Sequence, residues 1–298
     1  MAEVATFATS DQLLVVIDPV ARQTDGESVR IAKDVLSAGA ATKVCLPDGP
    51  EEFARALERR GSRRPVVIGD DRALARAVTL LHRQRELAGC ALSVVPVGPL
   101  LGIAHALGVP AGAVAAARSA LDGAVRRLDL LVDDSDGVVL GALSIPPLDE
   151  AGPDGVPGGD PASRAEELAA MGTWLRSCHS LVRNLVAPRP ARGGGGPAFG
   201  GGGGPSARLR VEVDGDTLVD LEQPVEAVSV IPGGAGSAAV EVRPVSVGAA
   251  ATPLRAAGRR VTISGPDFRY RADTAVSGPV RRRTWTVWED ALGLVLPG

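Results

Sequence analysis

Residues 64–81 read RPVVIGDDRALARAVTLL, and this stretch carries the clearest signal for the fold. The apolar run at its start is typical of a strand that is buried on both faces of a sheet. The run stops at Gly69-Asp70-Asp71, which indicates a loop at the end of the strand. Apolar residues then recur at helical spacing, at Leu74, Val78 and Leu81. The stretch therefore predicts a strand, a short loop and a helix in succession.

The same alternation continues on either side of this stretch. We predict further strands at 13–17, 43–46 and 92–95, and further helices at 28–36, at 51–60 and up to Leu107. Strands that alternate with helices favour βαβ units and a parallel sheet. In such a sheet, ligands bind at the loops that follow the carboxyl ends of the strands.

The pattern changes in the second half of the chain. Short segments with alternating polar and apolar residues predict strands at 208–213, 218–221, 227–231, 239–245, 260–263, 268–272, 284–287 and 292–296. This spacing is typical of an antiparallel sandwich or barrel. Between the halves, flexible insertions are expected at about 148–163 and 188–206, with a helix at 165–186.

Two domains are predicted from these patterns. Residues 1–132 form an N-terminal α/β nucleotide-binding-like domain with a parallel sheet, and residues 133–298 form a C-terminal antiparallel β-sandwich-like domain. The length of 298 residues agrees with about two domains.

Composition excludes several classes of protein. A net charge of -3 creates no field that would gather polyanions, and 3 Trp, 1 Tyr and 4 Phe supply few stacking platforms, so no nucleic-acid partner is expected. The three cysteines, Cys45, Cys90 and Cys178, lack disulfide or zinc spacing, which favours a reducing cytoplasmic location. No apolar run reaches the length of a membrane span, and no secretion signal is recognisable.

Residues 95–110, VPVGPLLGIAHALGVP, resemble a motif of the diacylglycerol kinase catalytic-domain family, which includes bacterial lipid kinases and sphingosine kinases. The most specific part of the match is ALGVP at its end. Other landmarks of the family occur in the same order, in LLVVIDPVAR at 13–22, VVIGDDRALARAV at 66–78, RRLDL at 126–130 and DTA at 273–275. The resemblance covers about 1–147 and 206–298.

The resemblance implies an ATP- and Mg²⁺-dependent lipid kinase that phosphorylates a lipid such as diacylglycerol or a related lipid alcohol in a cleft between the domains. The matching nucleotide-binding positions are Asp18, Gly69, Asp70, Asp71 and Gly98. Asp71 is the matching metal ligand, and Asp273 is the acid that remains at the family's catalytic turn and is therefore the candidate catalytic residue. The resemblance further implies a homodimer formed through the β domain.

Several positions depart from the family pattern. Asp70 replaces a glycine beside the expected phosphates, and Pro99 and Leu101 replace a hydroxyl and an amide. Ala275 stands where the family places the acid that could serve as general base. Phosphoryl transfer needs charge neutralisation around the phosphate and a base at the acceptor, and these changes indicate an eroded site. The alternatives are a non-catalytic pseudokinase that acts as a binding or regulatory protein, and an enzyme resembling NAD kinases.

Structural explanations compete with several of these assignments. Asp71 follows a glycine at a strand end and is also a candidate helix N-cap. Asp70 and Asp71 are adjacent carboxylates without further ligands, so a purely structural role competes with metal binding. His105 is expected on the exposed side of a helix, and His82 and His179 are expected in solvent.

The basic cluster Arg281-Arg282-Arg283 lies close to Trp285 and Trp288. It predicts either peripheral contact with anionic lipid or a charged edge strand that discourages aggregation. Because side chains alternate along a strand, Trp285 and Trp288 cannot both be buried on one side of a regular strand.

Overall fold

The computed structural model describes residues 12–146, 206–245 and 252–298. Its first half alternates strands and helices: β1 (Gln12–Ile17), α1 (Pro19–Thr24), α2 (Gly26–Gly39), β2 (Ala41–Cys45), α3 (Pro50–Glu58), β3 (Arg64–Gly69), α4 (Asp71–Arg83), β4 (Ala91–Pro96), α5 (Gly102–Ala106) and α6 (Ala113–Asp122). The predicted helix at 165–186, the insertion at 148–163, and the glycine-rich segment up to residue 205 lie outside the described residues.

Parallel strands form the centre of this half, in the order β2-β1-β3-β4. Helix α2 connects β1 to β2 on one side of the sheet, and α3 connects β2 to β3 on the other side of β1. Because these two connections run in opposite directions along the sheet, right-handed crossovers place α2 and α3 on opposite faces. Helix α2 packs against α6, while α3 packs against α4. Strands β1, β3 and β4 are buried except at their first residue, which explains their continuous apolar sequence.

The second half is built mainly from antiparallel strands. They are β5 (Ala124–Asp133), β6 (Val138–Val139), β7 (Leu143–Ile145), β8 (Ala207–Arg208), β9 (Arg210–Val213), β10 (Asp216–Val219), β11 (Pro224–Pro232), β12 (Ala238–Pro244), β13 (Leu254–Gly258), β14 (Arg260–Ala272) and β15 (Ala275–Leu296). The main path runs β13-β12-β11-β7-β14-β15. The predicted combination of a parallel α/β part and an antiparallel β part is confirmed.

Two hydrophobic cores hold these parts together. The first lies between the parallel strands and their helices, and the second lies among the antiparallel strands. Strand β15 contributes to both, with Trp285 and Val287 in the second core and Leu292 and Leu294 in the first. It pairs with β5 in antiparallel fashion and with β4 in parallel fashion. The predicted boundary near residue 132 stays a prediction.

Some element predictions were wrong. Helix α1 was missed because Asp18-Pro19 indicated a stop, whereas Asp18 caps this helix and proline suits its first turn. Strand β5 and helix α6 were also not predicted. The segments predicted separately at 260–263 and 268–272 are one strand, β14, and those at 284–287 and 292–296 belong to β15. Both strands contain β-bulges, so each continues across residues that interrupt the polar-apolar alternation.

Candidate functional site

Three loops meet at the carboxyl edge of the parallel strands. The Asp18 N–H donates to the carbonyl of Ile68 at 2.9 Å, which ties the end of β1 to β3. The Val97 N–H donates to the carbonyl of Gly69 at 3.0 Å, which ties the end of β4 to the same strand. The loops carrying Asp18, Asp70 and Gly98 are therefore neighbours, as the parallel sheet predicts.

Asp70 caps helix α4. Its Oδ1 accepts the N–H groups of Arg72 at 3.0 Å and Ala73 at 3.2 Å, and its backbone is extended with φ -88° and ψ -174°. Its Oδ2 is buried and has no hydrogen-bond partner among the described residues. The structural reading of Asp71 as the cap of this helix was therefore wrong by one residue, because a cap residue needs the extended backbone that Asp70 adopts.

Asp71 instead caps a different helix. Its Oδ2 accepts the Ile103 N–H at 2.8 Å and its Oδ1 accepts the Ala104 N–H at 2.9 Å, both at the start of α5. The Asp71 N–H in turn donates to the carbonyl of Leu100 at 2.7 Å. Burial raises the pKa of the Asp71 carboxyl, the nearby Asp70 raises it further, and the two N–H donors oppose this shift. Asp71 therefore fastens the 96–101 loop to the start of α4.

Glycines allow the backbone to pack tightly here. A Cβ on Gly69 would lie 2.6 Å from the Cβ of Ala73 and 3.0 Å from that of Asp18. Gly98 has φ +133°, and a Cβ there would lie 2.9 Å from the Cβ of Asp70. The 96–101 loop thus rests directly on Asp70.

Asp18 lies in the same region but is held by an arginine. Its Oδ2 accepts from Arg76 on α4 at 3.0 Å, and its Oδ1 accepts the N–H of Val20 at 2.9 Å. The Asp18 side chain is only 4% exposed. The guanidinium of Arg76 also lies 5.5 Å from the ring centre of Phe53. This ion pair joins the loop after β1 to the middle of α4.

Asp273 approaches the three loops from the antiparallel half. It sits in the turn between β14 and β15 with φ +53°. Its Oδ1 accepts the N–H groups of Gly141 at 2.7 Å and Ala142 at 3.1 Å, and its Oδ2 accepts that of Leu140 at 2.7 Å. Burial raises the pKa of its carboxyl to about 6, and the charge of Asp71 adds to the shift while the N–H donors oppose it.

Gly141 connects the two halves of this site. A Cβ at Gly141 would lie 3.3 Å from Asp273 Oδ1 and 3.3 Å from Ile103 Cγ1, so its backbone fits between them. Ile103 is also the residue whose N–H binds Asp71. The structure thus places Asp70, Asp71, Gly98 and Asp273 in one region, and their roles in binding and catalysis stay a prediction. Sequence reasoning did not assign Gly141 and Ile103 to the site, because neither position carries a polar side chain.

The whole architecture is similar to that of solved structures assigned as diacylglycerol kinases from Bacillus anthracis strain Sterne. One has a TM-score of 0.66 and 14% identity, with 97% of this chain and 98% of that chain covered. Two others have TM-scores of 0.65 and 0.64, with 12% and 11% identity and the same coverage. The chain has the diacylglycerol kinase fold. No family model and no curated protein sequence matches it.

Within the diacylglycerol kinase fold, His105 is exposed on α5, as predicted. The expectation that His82 is solvated was wrong. His82 is only 7% exposed, its ring lies edge-on to Trp288 with centroids 4.9 Å apart, and its Nε2 lies 3.9 Å from Asp136 Oδ1. It lies four residues after Val78, on the buried side of α4, where Trp288 of β15 supplies the contact. His179 and Cys178 lie outside the described residues.

Acidic side chains partly neutralise the positive charge of the basic cluster at residues 281–283. Arg281 pairs with Asp267 at 2.9 Å, and Arg283 pairs with Asp134 at 2.7 Å. Trp285 is fully buried whereas Trp288 is 47% exposed, which confirms that the two lie on different sides. None of the described helices is long and apolar enough to cross a membrane. The described residues also contain no cluster of three or more His, Cys, Asp or Glu side chains that could hold a metal ion.

Proposed function

We propose that the protein is a lipid kinase that transfers a phosphoryl group from ATP to the hydroxyl of diacylglycerol or a related lipid alcohol. The observation that carries this proposal is the position of Asp273, a half-buried residue of the antiparallel half whose carboxyl lies near enough to Asp71 for that charge to raise its pKa. The likeness to structures assigned as diacylglycerol kinases supports the same reaction class. We place this activity in the cytoplasm, with transient contact at a membrane surface to reach the lipid.

Asp273 is the proposed general base. A base acts best when its pKa lies near the working pH, and a carboxyl with a pKa of about 6 meets that condition better than an ordinary aspartate. Three backbone N–H donors fix the orientation of the carboxylate. In this role Asp273 accepts the proton of the lipid hydroxyl as that oxygen attacks the γ-phosphorus of ATP, while the bond from this phosphorus to ADP breaks and ADP leaves.

Asp71 is the proposed Mg²⁺ ligand. The charge of Asp70 raises the pKa of Asp71, and the charge of Asp71 raises the pKa of Asp273, so a divalent cation at Asp71 would relieve repulsion among these carboxylates. Mg²⁺ is commonly held by one or two carboxylates together with substrate phosphates, so the lack of a three-residue cluster among the described residues fits this mode. Bound Mg²⁺ supplies neutralisation of charge on the transferred phosphate.

Glycines leave room for the nucleotide phosphates beside these carboxylates. A Cβ at Gly102 would meet only Asp71 Oδ2, at 3.9 Å, so the start of α5 is open next to the proposed Mg²⁺ ligand. Gly98 likewise presents backbone in place of a side chain next to Asp70. Both positions would let phosphate oxygens approach the main chain closely.

A second candidate, a non-catalytic binding protein of the same fold, is favoured by a different observation. The N–H groups at the starts of α4 and α5 are the natural anion sites of this cleft. Carboxylates of Asp70 and Asp71 already occupy them. Those carboxylates would compete with a phosphate for the same donors and repel it.

The deciding experiment is a lipid kinase assay with radiolabelled ATP, Mg²⁺ and mixed micelles containing diacylglycerol or a sphingoid base. We expect turnover by the wild type and a loss of about 100-fold or more in Asp273→Asn, the range for removal of a general base. Asp71→Asn should show a comparable loss. Asp34→Asn, which alters an exposed carboxylate on α2, serves as the matched control and should retain activity.

Two outcomes would overturn the lipid kinase proposal. Wild-type protein that turns over no lipid acceptor points to the non-catalytic candidate. Full activity in Asp273→Asn would show that the carboxyl of Asp273 is not the general base. Circular dichroism of each variant shows whether the fold is retained, so that loss of the base is separated from loss of structure.

A further inference from the structure

Helix α4 begins in the candidate site and ends about 18 Å away, at the amino edge of the parallel sheet. Arginines gather around the segment at 84–88 that follows it. Arg60, two residues after α3, contacts Glu86 of this segment. Arg127 on β5 donates through Nη2 to the carbonyl of Ala88 at 2.7 Å. Guanidinium groups from separate parts of the chain therefore meet at the end of α4.

Three further arginines belong to the same surface. The Nη1 of Arg63 donates to the carbonyl of Arg60 at 3.4 Å. Arg83 and Arg85 are exposed, and neither forms an ion pair within the described part of the chain. Cations are favourable near the end of a helix, but Arg63 and Arg127 belong to no helix, so helix ends alone do not explain the group. We call this group the arginine half; it consists of Arg60, Arg63, Arg83, Arg85 and Arg127.

Acidic side chains lie nearby, on β15 and in the turn between β5 and β6. Glu289 and Asp290 are exposed on β15, and the side chain of Asp136 in the turn is 79% exposed. The Asp290 N–H donates to Asp129 Oδ1 at 2.9 Å, which holds the bulge of β15 in place. We call Asp136, Glu289 and Asp290 the acidic half.

His82 and Trp288 lie where the two halves meet. The Arg85 N–H donates to the carbonyl of His82 at 2.9 Å, and the His82 Nε2 lies 3.9 Å from Asp136 Oδ1. The His82 ring stands edge-on to Trp288, which Glu289 follows in the chain. A basic half and an acidic half therefore adjoin at one pair of rings.

Trp288 differs from the other large aromatic side chains of the chain. It is 47% exposed, whereas the other Phe, Tyr and Trp side chains among the described residues are buried. Tryptophan is enriched among the residues that contribute most to protein–protein interfaces, where it lies near the centre inside a polar rim. An exposed tryptophan between two charged groups therefore favours a protein partner.

We propose that this surface is a symmetric interface with a second copy of the same chain. In a two-fold dimer a surface faces itself, so the arginine half of each copy can lie on the acidic half of the other. Trp288 lies at the boundary of the halves and packs near the two-fold axis. An anionic membrane or a nucleic acid would be attracted by the arginine half and repelled by the acidic half, whereas a second copy satisfies both.

This interface is distinct from a homodimer formed through the β domain alone, because α4 of the parallel half supplies part of it. It leaves the candidate site open, since Asp71 lies at the opposite end of α4. The inference goes beyond the proposed function and does not depend on lipid kinase activity.

Sedimentation equilibrium of the full-length protein tests the interface, at concentrations from about 1 to about 100 μM, the range of an ordinary reversible complex. We expect a dimer, and Trp288→Ser should raise its Kd by about 30-fold or more, as for a residue that dominates an interface. Leu221→Ser is the matched control, because Leu221 is also exposed, at 43%, but lies in the antiparallel half away from α4. It should leave the Kd unchanged.

A charge exchange tests the pairing of the halves without altering the packing of Trp288. Arg83→Glu and Glu289→Arg should each weaken the dimer by about 10-fold or more, because each places like charges across the interface. The double variant should recover most of the lost affinity, because it restores opposite charges. Added NaCl should weaken the wild-type dimer, since salt screens exposed charges.

Three results would overturn the inference. One is a wild-type protein that stays monomeric over the whole concentration range at low salt. Another is a dimer whose Kd is unchanged in both Trp288→Ser and Arg83→Glu, which would place the contact elsewhere on the molecule. The third is a double charge variant that dimerises no better than the single variants. Circular dichroism of each variant separates loss of the interface from loss of the fold.

Discussion

Four aspartates of the site bind backbone N–H groups of this chain. Asp18, Asp70 and Asp71 accept N–H groups of α1, α4 and α5, and Asp273 accepts three N–H groups of residues 140–142. Each interaction orders a loop or a helix start, and in the proposed kinase it also holds a carboxylate in position. The presence and order of these acids could be read from the sequence. Asp18 and Asp70 bind N–H groups two or three residues away, whereas the partners of Asp71 and Asp273 could not be predicted, because N–H donors more than 30 residues away leave no local pattern.

The raised pKa of Asp273 predicts a pH-dependent stability. Its folded pKa of about 6 exceeds the ordinary value of 3.8, so the folded protein holds the proton more tightly than the unfolded chain. Stability should therefore fall as pH rises from about 4 to about 6, by up to about 3 kcal/mol for this group. Urea unfolding of the wild type and Asp273→Asn at pH 4–7 measures this effect, since asparagine does not ionise.

We expect the Asp273→Asn variant to gain free energy of unfolding relative to the wild type as the pH rises through this window. Asp34→Asn reports the background from removing an exposed carboxylate. A difference between Asp273→Asn and the wild type that stays constant from pH 4 to pH 7 would show that the carboxyl titrates normally.

At the scale of elements, the junction of β3 and α4 positions the site. Gly69 ends the strand, Asp70 caps the helix, and the two elements meet without space for a side chain at residue 69. The strand, loop and helix were predicted from the sequence, since an apolar run and a 3.6-residue period are local signals. The close contact between Gly69 and Ala73 explains why glycine stands there.

Gly69→Ala should destabilise the protein. The new Cβ would lie 2.6 Å from the Cβ of Ala73, so strand and helix must separate, which typically costs about 1–3 kcal/mol in a packed core. Chemical denaturation measures the loss. Gly26→Ala is the matched control, because nothing lies within 4 Å of its Cβ, and it should cause no loss. Equal stability of both variants would contradict the tight junction.

At the scale of the whole molecule, β15 joins the two cores. This strand of 22 residues carries Trp285 in the second core and Leu294 in the first. Bulges between Trp288 and Leu292 let it pass from one core to the other while it remains paired with β5. We therefore expect the two cores to unfold together.

Leu294→Ala tests this coupling. Leu294 is fully buried, and its truncation should cost about 2–5 kcal/mol. The sequence contains three tryptophans, so replacing Trp174 and Trp288 by phenylalanine leaves Trp285 as a fluorescent reporter of the second core. In that background, Trp285 fluorescence and far-UV circular dichroism should shift to lower denaturant concentration by the same amount. A fluorescence transition that stays in place would show that the cores unfold independently.

The sequence by itself determined the parallel α/β half, the antiparallel half and the order of the acidic residues, because hydrophobic periodicity and turn residues act over a few neighbouring positions. Only the tertiary structure decided that Asp71 caps α5 and not its own helix, that His82 is buried against Trp288, and that Asp273 meets Gly141 beside Ile103. These contacts join residues far apart in the chain. They depend on how whole elements pack, since burial and long-range hydrogen bonds are set by three-dimensional neighbours that no local stretch of sequence specifies.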